Sequence, residues 1–342
     1  MKASQKTEEI QSTELTLIKE MAFKPLWYLK NRHLQTILPN IIHPPFPTLE
    51  KERVELSDGD FIDLLWADAR SSQTLLILHG LEGSVHSPYA KRILNYCNQY
   101  RIPAVLMHFR GCGGEINRLL RSYHSGETGD LQQVIAHLKN QGINDIALLG
   151  YSLGGNVTLK YMGEAPTDPS VRCAVAVSVP LRLDICADTM ARGFARVYQN
   201  TLLGRLVKKM QLKQKLLQAN DRDFPDPSTM RNFHQFDDAF TAPIHGFDSA
   251  DHYYQSCSSK QFLPAIDKPT LIIQSADDPF MTSEVIPRQD ELSDSVSLEL
   301  STHGGHVGFI GSSDLRPKLW LESRIHAFLK EQQFFIPERN PE

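Results

Sequence analysis

The sequence is short of cysteine, of long apolar runs and of any excess of one charge, and each shortage removes a class of protein. Its five cysteines, at 97, 112, 173, 186 and 257, are odd in number and scattered. They fit neither a disulfide framework nor paired zinc knuckles, and a reducing compartment is the expected setting. No apolar stretch approaches the roughly 20 residues that a spanning helix needs, so no stable membrane insertion is expected. Lysine and arginine number 36 against 40 aspartates and glutamates, a formal charge of −4. That balance lacks the basic excess of a nucleic-acid binder. Residues 1–14 are polar and mixed in charge, so no secretory signal is expected and the cytoplasm is the expected location. There is no G-x-x-x-x-G-K-[ST] loop to cradle phosphates, no internal repeat and no low-complexity stretch.

What remains is an ordinary globular composition, 41% hydrophobic and 22% charged over 342 residues. Residues 1–50 read as a polar, then proline-rich, N-terminal arm lying on the surface. Runs at 53–57 and 61–67 flank Asp58-Gly59, a hairpin signal. Short buried strands follow at 74–78, 104–108, 146–149 and 174–179, alternating with helical patterns at 88–99, 128–140 and 153–162. This alternation predicts an α/β fold with a mostly parallel central sheet covered by helices. It stops at Pro180 and resumes with a strand at 270–274, a helix near 284–292, a strand at 296–300 and a helix at about 314–330. The expected organisation is therefore a core of residues 51–181 and 266–334, with 182–265 as a helical cap inserted after the sixth strand.

Gly150-Tyr151-Ser152-Leu153-Gly154 matches G-x-S-x-G between a predicted strand and a predicted helix, the context that a nucleophile elbow requires. A serine needs a base, and the base an orienting carboxylate. Beyond the strand at 270–274 stand Asp277 and Asp278; counting from Pro269 favours Asp278 as the acid, with Asp277 as the alternative. Beyond the strand at 296–300, Gly304-Gly305-His306 supplies the base, with His303 a nearby decoy. His303 and His306 lack a third ligand at sensible spacing, so neither metal nor cofactor is expected. The backbone N–H groups of Leu153 and of Leu81, in His79-Gly80-Leu81-Glu82-Gly83, are the candidate oxyanion donors. Arg110, Tyr123 and His124 follow a strand end and are candidate pocket residues, although Arg110 reads equally well as a brace for its loop. Cys112 reads as a small packed thiol, and Trp27, Trp66 and Trp320 as core or arm anchors.

Leu203, Leu206, Val207 and Met210 form an apolar stripe beside Arg205, Lys208, Lys209, Lys213 and Lys215. A cap helix with its apolar face over an acyl pocket and its charges in water is expected, with weak peripheral membrane contact as the alternative.

These blocks, with Asn31-Arg32-His33-Leu34-Gln35-Thr36, His108-Phe109-Arg110-Gly111-Cys112, Tyr123-His124-Ser125-Gly126, Phe236-Asp237-Asp238 and Gly304 to Phe309, resemble the α/β-hydrolase superfamily. Within it they look like the branch of bacterial YheT-type hydrolases and eukaryotic abhydrolase-domain lipases. The resemblance implies the α/β-hydrolase fold, a triad of Ser152, Asp278 and His306, and hydrolysis of carboxylic esters. It implies short- to medium-chain acyl esters or lipid esters as substrate. Acyl transfer by the same triad, and a noncatalytic binding protein, are the alternatives. Oligomeric state is not legible in the sequence.

Overall fold

The computed structural model describes residues 23–41, 44–67, 70–164, 168–218, 224–311 and 318–335, with the side chains of 215–218 and 318–319 left aside. Eight strands form one sheet: β1 (Glu50–Glu55), β2 (Phe61–Ala67), β3 (Gln73–Leu78), β4 (Ala104–Met107), β5 (Asp145–Tyr151), β6 (Val171–Val177), β7 (Thr270–Ser275) and β8 (Val296–Ser301). They lie in the order β1-β2-β4-β3-β5-β6-β7-β8. β1 and β2 are an antiparallel pair and β2 meets β4 antiparallel, whereas the pairs from β4 to β8 are all parallel.

The central strands are apolar throughout because both faces are covered. Along β3, Leu76 and Leu78 enter one core while Leu75 and Ile77 enter the other. β5 divides likewise, Leu148 to one side and Ala147 and Leu149 to the other. Each fully buried Leu or Ile stabilises the fold by about 1.5–3 kcal/mol. Helices Pro88–Tyr100, Thr128–Asn140, Leu153–Gly163 and Leu321–Glu331 cover the sheet. The first begins at proline, which needs no N–H partner there, and stops at Arg101 in the left-handed region (φ 53°).

Two expected helices are altered. Residues 284–292 make only two short 3-10 turns, Ser283–Val285 and Gln289–Glu291. Pro287 lies between them, and Ile286 before it is extended (ψ 126°), as a residue preceding proline prefers. The final helix begins at Leu321 rather than near 314, because Leu319 is drawn into an antiparallel pair with Ile310. Residues 312–317 lie outside the described set.

Between β6 and β7 the described residues add no strand to the sheet. Helices Leu183–Met190, Ala195–Gln218 and Ala250–Cys257, with short turns between them, pack around a core of their own. That core touches Leu81 and Phe280, beside the carboxyl ends of β3 and β7. Of the arm, the described residues 23–41 and 44–50 lie partly exposed, and the helix within them sends one face into the molecule. Asn31 caps helix Arg32–Ile41 through the N–H groups of His33 and Leu34, and Gln35, Thr36 and Pro39 are buried. Trp66 is buried in the sheet core and Trp320 packs on Phe309, but Trp27 is 73% exposed and meets its neighbour Tyr28 edge-on.

Candidate active site

At the end of β5 the chain turns abruptly. Ser152 has φ 52° and ψ −117°, a conformation that costs a non-glycine residue about 1–3 kcal/mol, and the helix starts at the next residue. The neighbours must be small. A methyl on Gly150 would overlap the Gly154 carbonyl, and one on Gly154 would stand 2.5 Å from the carbonyls of Leu78 and His79. The backbone on both sides pins the turn, Ser152 N–H donating to Val177 and its carbonyl receiving Asn156 N–H.

His306 lies on a loop after β8, 3.0 Å from Ser152 Oγ through Nε2 and 2.8 Å from Asp278 Oδ2 through Nδ1. With the buried Asp278 carboxylate on Nδ1–H, Nε2 carries the lone pair and accepts the serine hydroxyl. Phe280 stacks on the imidazole, ring centres 3.9 Å apart, and its N–H donates to Asp278 Oδ1. The loop is fastened at three successive residues. Gly305 N–H donates to Asp277, His306 N–H to Thr36 Oγ1, and Val307 N–H to Ser178 Oγ. Gly305 is at φ 58°, and a side chain there would strike the Arg32 carbonyl at 2.6 Å. Asp277 thus bonds the loop's backbone, Ser275 and, at 3.4 Å, His303. It is Asp278 that meets His306.

The loop after β3 approaches from the other side: a methyl on Gly80 would come within 3.3 Å of Ser152 Cβ. Complete burial pushes His79 down to about 3, so it is neutral. Its Nε2 accepts Phe109 N–H, which leaves Nδ1–H to donate to the Gly80 carbonyl. Glu82 sits at φ 50°. Its N–H donates to Tyr123 Oη, the tyrosine donates back to Glu82 Oε1, and Lys209 Nζ donates to the same oxygen at 2.7 Å. Between these clamps stands Leu81. Among the described residues, neither Leu81 N–H nor Leu153 N–H has a hydrogen-bond partner. Two unspent donors beside a serine are what an oxyanion requires.

Two cavities meet at Ser152 and His306. An inner chamber of about 140 Å³ is walled mainly by apolar side chains of the segment between β6 and β7, and Tyr123 and His124 also line it. An outer groove of about 690 Å³ runs along the arm helix and the loop after β3. Arg110 lines neither. It is buried on Asp60, Asp130 and Asp58, bracing the hairpin of β1 and β2 against helix Thr128–Asn140. Burial pushes the Cys112 thiol up to about 11, and it packs against the core as an inert group.

The stripe on helix Ala195–Gln218 does face the chamber, through Leu206 and Met210, but not all its lysines are in water. Lys209 reaches Glu82, and Lys213 is buried with Nζ within 3.2 Å of the carbonyls of Leu119, Leu120 and Arg121 and of Ser122 Oγ. These acceptors sit on a loop far away in sequence, so spacing along the helix cannot reveal them. The Lys215 side chain lies outside the described ones. Sequence reasoning also missed Thr36, Ser178 and Phe280 as neighbours of His306. The arm motif Asn31 to Thr36 was visible only as a block without a role.

Among the described residues, no group of three or more His, Cys, Asp or Glu side chains is placed to hold a metal ion. None of the described helices is long and apolar enough to cross a membrane.

A family model described as the alpha/beta hydrolase fold matches residues 73–312. The chain is 43% identical over 317 residues to YheT of Escherichia coli (strain K12), a protein with a provisional esterase designation, covering 90% of this chain and 92% of that one. It is 26% identical over 306 residues to phospholipase ABHD3 of Mus musculus, covering 86% and 74% of the two chains. Among solved structures, the Pyrococcus furiosus esterase Pf2001 superposes with a TM-score of 0.54 at 18% identity, covering 83% of this chain and 92% of that one, a likeness of fold.

Proposed function

The chain belongs to the α/β-hydrolase fold family, and from that premise we propose that it is a serine hydrolase of carboxylic esters. The observation that carries this reading is the relay Ser152–His306–Asp278, with spacings of 3.0 and 2.8 Å, facing two unbonded N–H groups. His306 Nε2 takes the serine proton as Oγ attacks the ester carbonyl. The N–H groups of Leu81 and Leu153 hold the oxyanion, and the dipole of helix Leu153–Gly163 adds to them. His306 then returns the proton to the departing alkoxide. In the second half it takes a proton from water, which releases the acid and restores the serine. Asp278 keeps Nδ1 protonated and faces the imidazolium that forms.

The inner chamber supports short- to medium-chain acyl esters. The segment 182–265 acts as its cap. Helix Ala195–Gln218 serves as a wall of the site, its stripe turned inward, rather than as a membrane anchor.

The test is fluorophosphonate labelling of wild type and Ser152→Ala with p-nitrophenyl butyrate hydrolysis. Labelling at Ser152 and loss of about 10⁴-fold or more in kcat on its removal are expected. Unlabelled, folded wild-type protein without turnover would favour the binding-protein reading.

A further inference from the structure

The chamber carries a carboxylate that the hydrolytic steps leave unused. Residues Phe233–Phe236 make one helical turn and Asp237–Thr241 a single π turn, a geometry frequent at functional sites. The two aspartates at that junction part company. Asp238 is exposed and accepts Ala250 N–H, whereas Asp237 lines the chamber together with Ser152. Thr241 donates to Asp237 Oδ1 at 2.6 Å and Tyr254 to Oδ2 at 2.7 Å. Each carboxylate oxygen can accept a further hydrogen.

A carboxylate withdrawn from water is costly unless a cation meets it. Burial pushes the Asp237 carboxyl up to about 6 against the pull of the two hydroxyls and of His234, so it is ionised at neutral pH. His234 itself is exposed and turned to Asp251 at 3.2 Å. The other basic groups of the chamber are spent elsewhere. Lys209 serves Glu82, Lys213 serves the carbonyls of Leu119, Leu120 and Arg121, and burial holds His124 and His245 below their ordinary values. Among the described residues, none forms an ion pair with Asp237. Phe236, Tyr253 and Tyr254 line the same chamber, the two tyrosine rings 5.3 Å apart, and aromatic faces beside a carboxylate suit an organic cation.

Resting on the serine-hydrolase reading, we propose that this protein's substrates are amino-functionalised esters, in which the half that enters the chamber ends in a primary ammonium held by Asp237. The ammonium brings three donors to the carboxylate, which Thr241 and Tyr254 hold in place for it. A hydrocarbon tail of the same length leaves the carboxylate unmet and forfeits that contact. Asp237 thus determines specificity and takes no part in bond making at Ser152.

The experiment uses the full chain at pH 8, with p-nitrophenyl acetate as reporter. n-Pentylamine, an ammonium at that pH, should inhibit competitively with a Ki at least about tenfold below that of n-pentanol, and Asp237→Asn should bring the two within about threefold of each other. Asp237→Glu, which keeps the charge, should retain part of the preference. Two isosteric ester pairs locate the ammonium: ethyl 6-aminohexanoate against ethyl heptanoate on the acyl side, and 5-aminopentyl butyrate against hexyl butyrate on the alcohol side. The aminated member of one pair should be favoured in kcat/KM by about tenfold, and Asp237→Asn should abolish that preference. Equal inhibition by amine and alcohol, with neither aminated ester preferred, would overturn the assignment. If no ester shows Ser152-dependent turnover, the hydrolase reading fails, and calorimetry separates the two. Binding of n-pentylammonium to wild type and not to Asp237→Asn leaves the ammonium site standing, and no binding removes both.

Discussion

Thr36 accepts the backbone N–H of His306 at 2.9 Å, across 270 positions of sequence. Its own hydroxyl hydrogen goes to the Arg32 carbonyl one turn back in the arm helix, so the oxygen is aimed before the histidine loop arrives. Gln35 beside it donates to the carbonyls of Leu29 and Ile310 and accepts Ile310 N–H. The arm thereby holds both ends of the loop that presents the imidazole. Thr36→Val should leave a buried N–H unpaired, destabilise the protein by about 1–3 kcal/mol and lower kcat about tenfold. Thr36→Ser should restore both. Thermal unfolding beside steady-state kinetics checks this; a valine variant with normal kcat would show that the contact positions nothing.

The partners of the two aspartates separate their roles. Asp278→Asn leaves no carboxylate on His306 Nδ1 and should cost about 10⁴-fold in kcat with little loss of stability. Asp277→Asn weakens the bond to Gly305 N–H and the contact to His303, so a smaller kcat loss with a lower unfolding midpoint is expected. Equal kinetic losses from the two variants would contradict the geometry.

Lys209 and Glu82 join the long helix to the loop carrying Leu81, with the Glu82 carboxylate shared between Lys209 Nζ and Tyr123 Oη. Removing one partner of a buried pair leaves an uncompensated charge, worth about 3–5 kcal/mol. Lys209→Met should therefore let the strained Glu82 backbone relax and move the Leu81 N–H. The expected result is a kcat loss of about 10²-fold with a smaller change in KM. Measured kcat and KM for one short-chain ester decide it, and a loss confined to KM would place Lys209 in substrate binding alone.

Acid should unfold the protein earlier than its surface charges suggest. Burial pulls His79 down to about 3, His108 to about 4, and His124 well below its ordinary value. In the unfolded chain these histidines take up protons near 6.5, so their stabilising contribution is complete above that pH and is lost as pH falls toward the folded values. Each costs about 1.4 kcal/mol per pH unit in that window. Asp237 works the other way: burial raises its carboxyl to about 6, so it adds stability as pH drops from about 6 toward its ordinary value. His245 is also lowered by burial and Asp130 also raised by it, so four histidines stand against two aspartates and the histidines outweigh them. The urea midpoint should fall between pH 7 and pH 5, and more steeply in Asp237→Asn; a midpoint that stays level would show these histidines charged in the folded protein.

The local sequence determined the strands of the sheet and the elbow, because short continuous apolar runs, glycine at close approaches and a strand-to-helix switch are properties of neighbouring residues. Ser152, Gly305 and His306 are legible for that reason, and so is Arg110 as a charged residue after a strand. Whether that arginine faced the pocket or a nest of carboxylates was not legible, since Asp58, Asp60 and Asp130 reach it only when the hairpin and helix Thr128–Asn140 fold against each other. The same holds for Lys209 and Lys213, whose inward turn depends on acceptors contributed by other loops. Counting along the strand favoured Asp278 over Asp277, but only the tertiary structure sets Asp278 against His306 Nδ1, because adjacent residues in a turn point in different directions. It also brought Thr36 under His306. Contacts made by distant segments depend on how layers pack, and no periodicity along the chain records that.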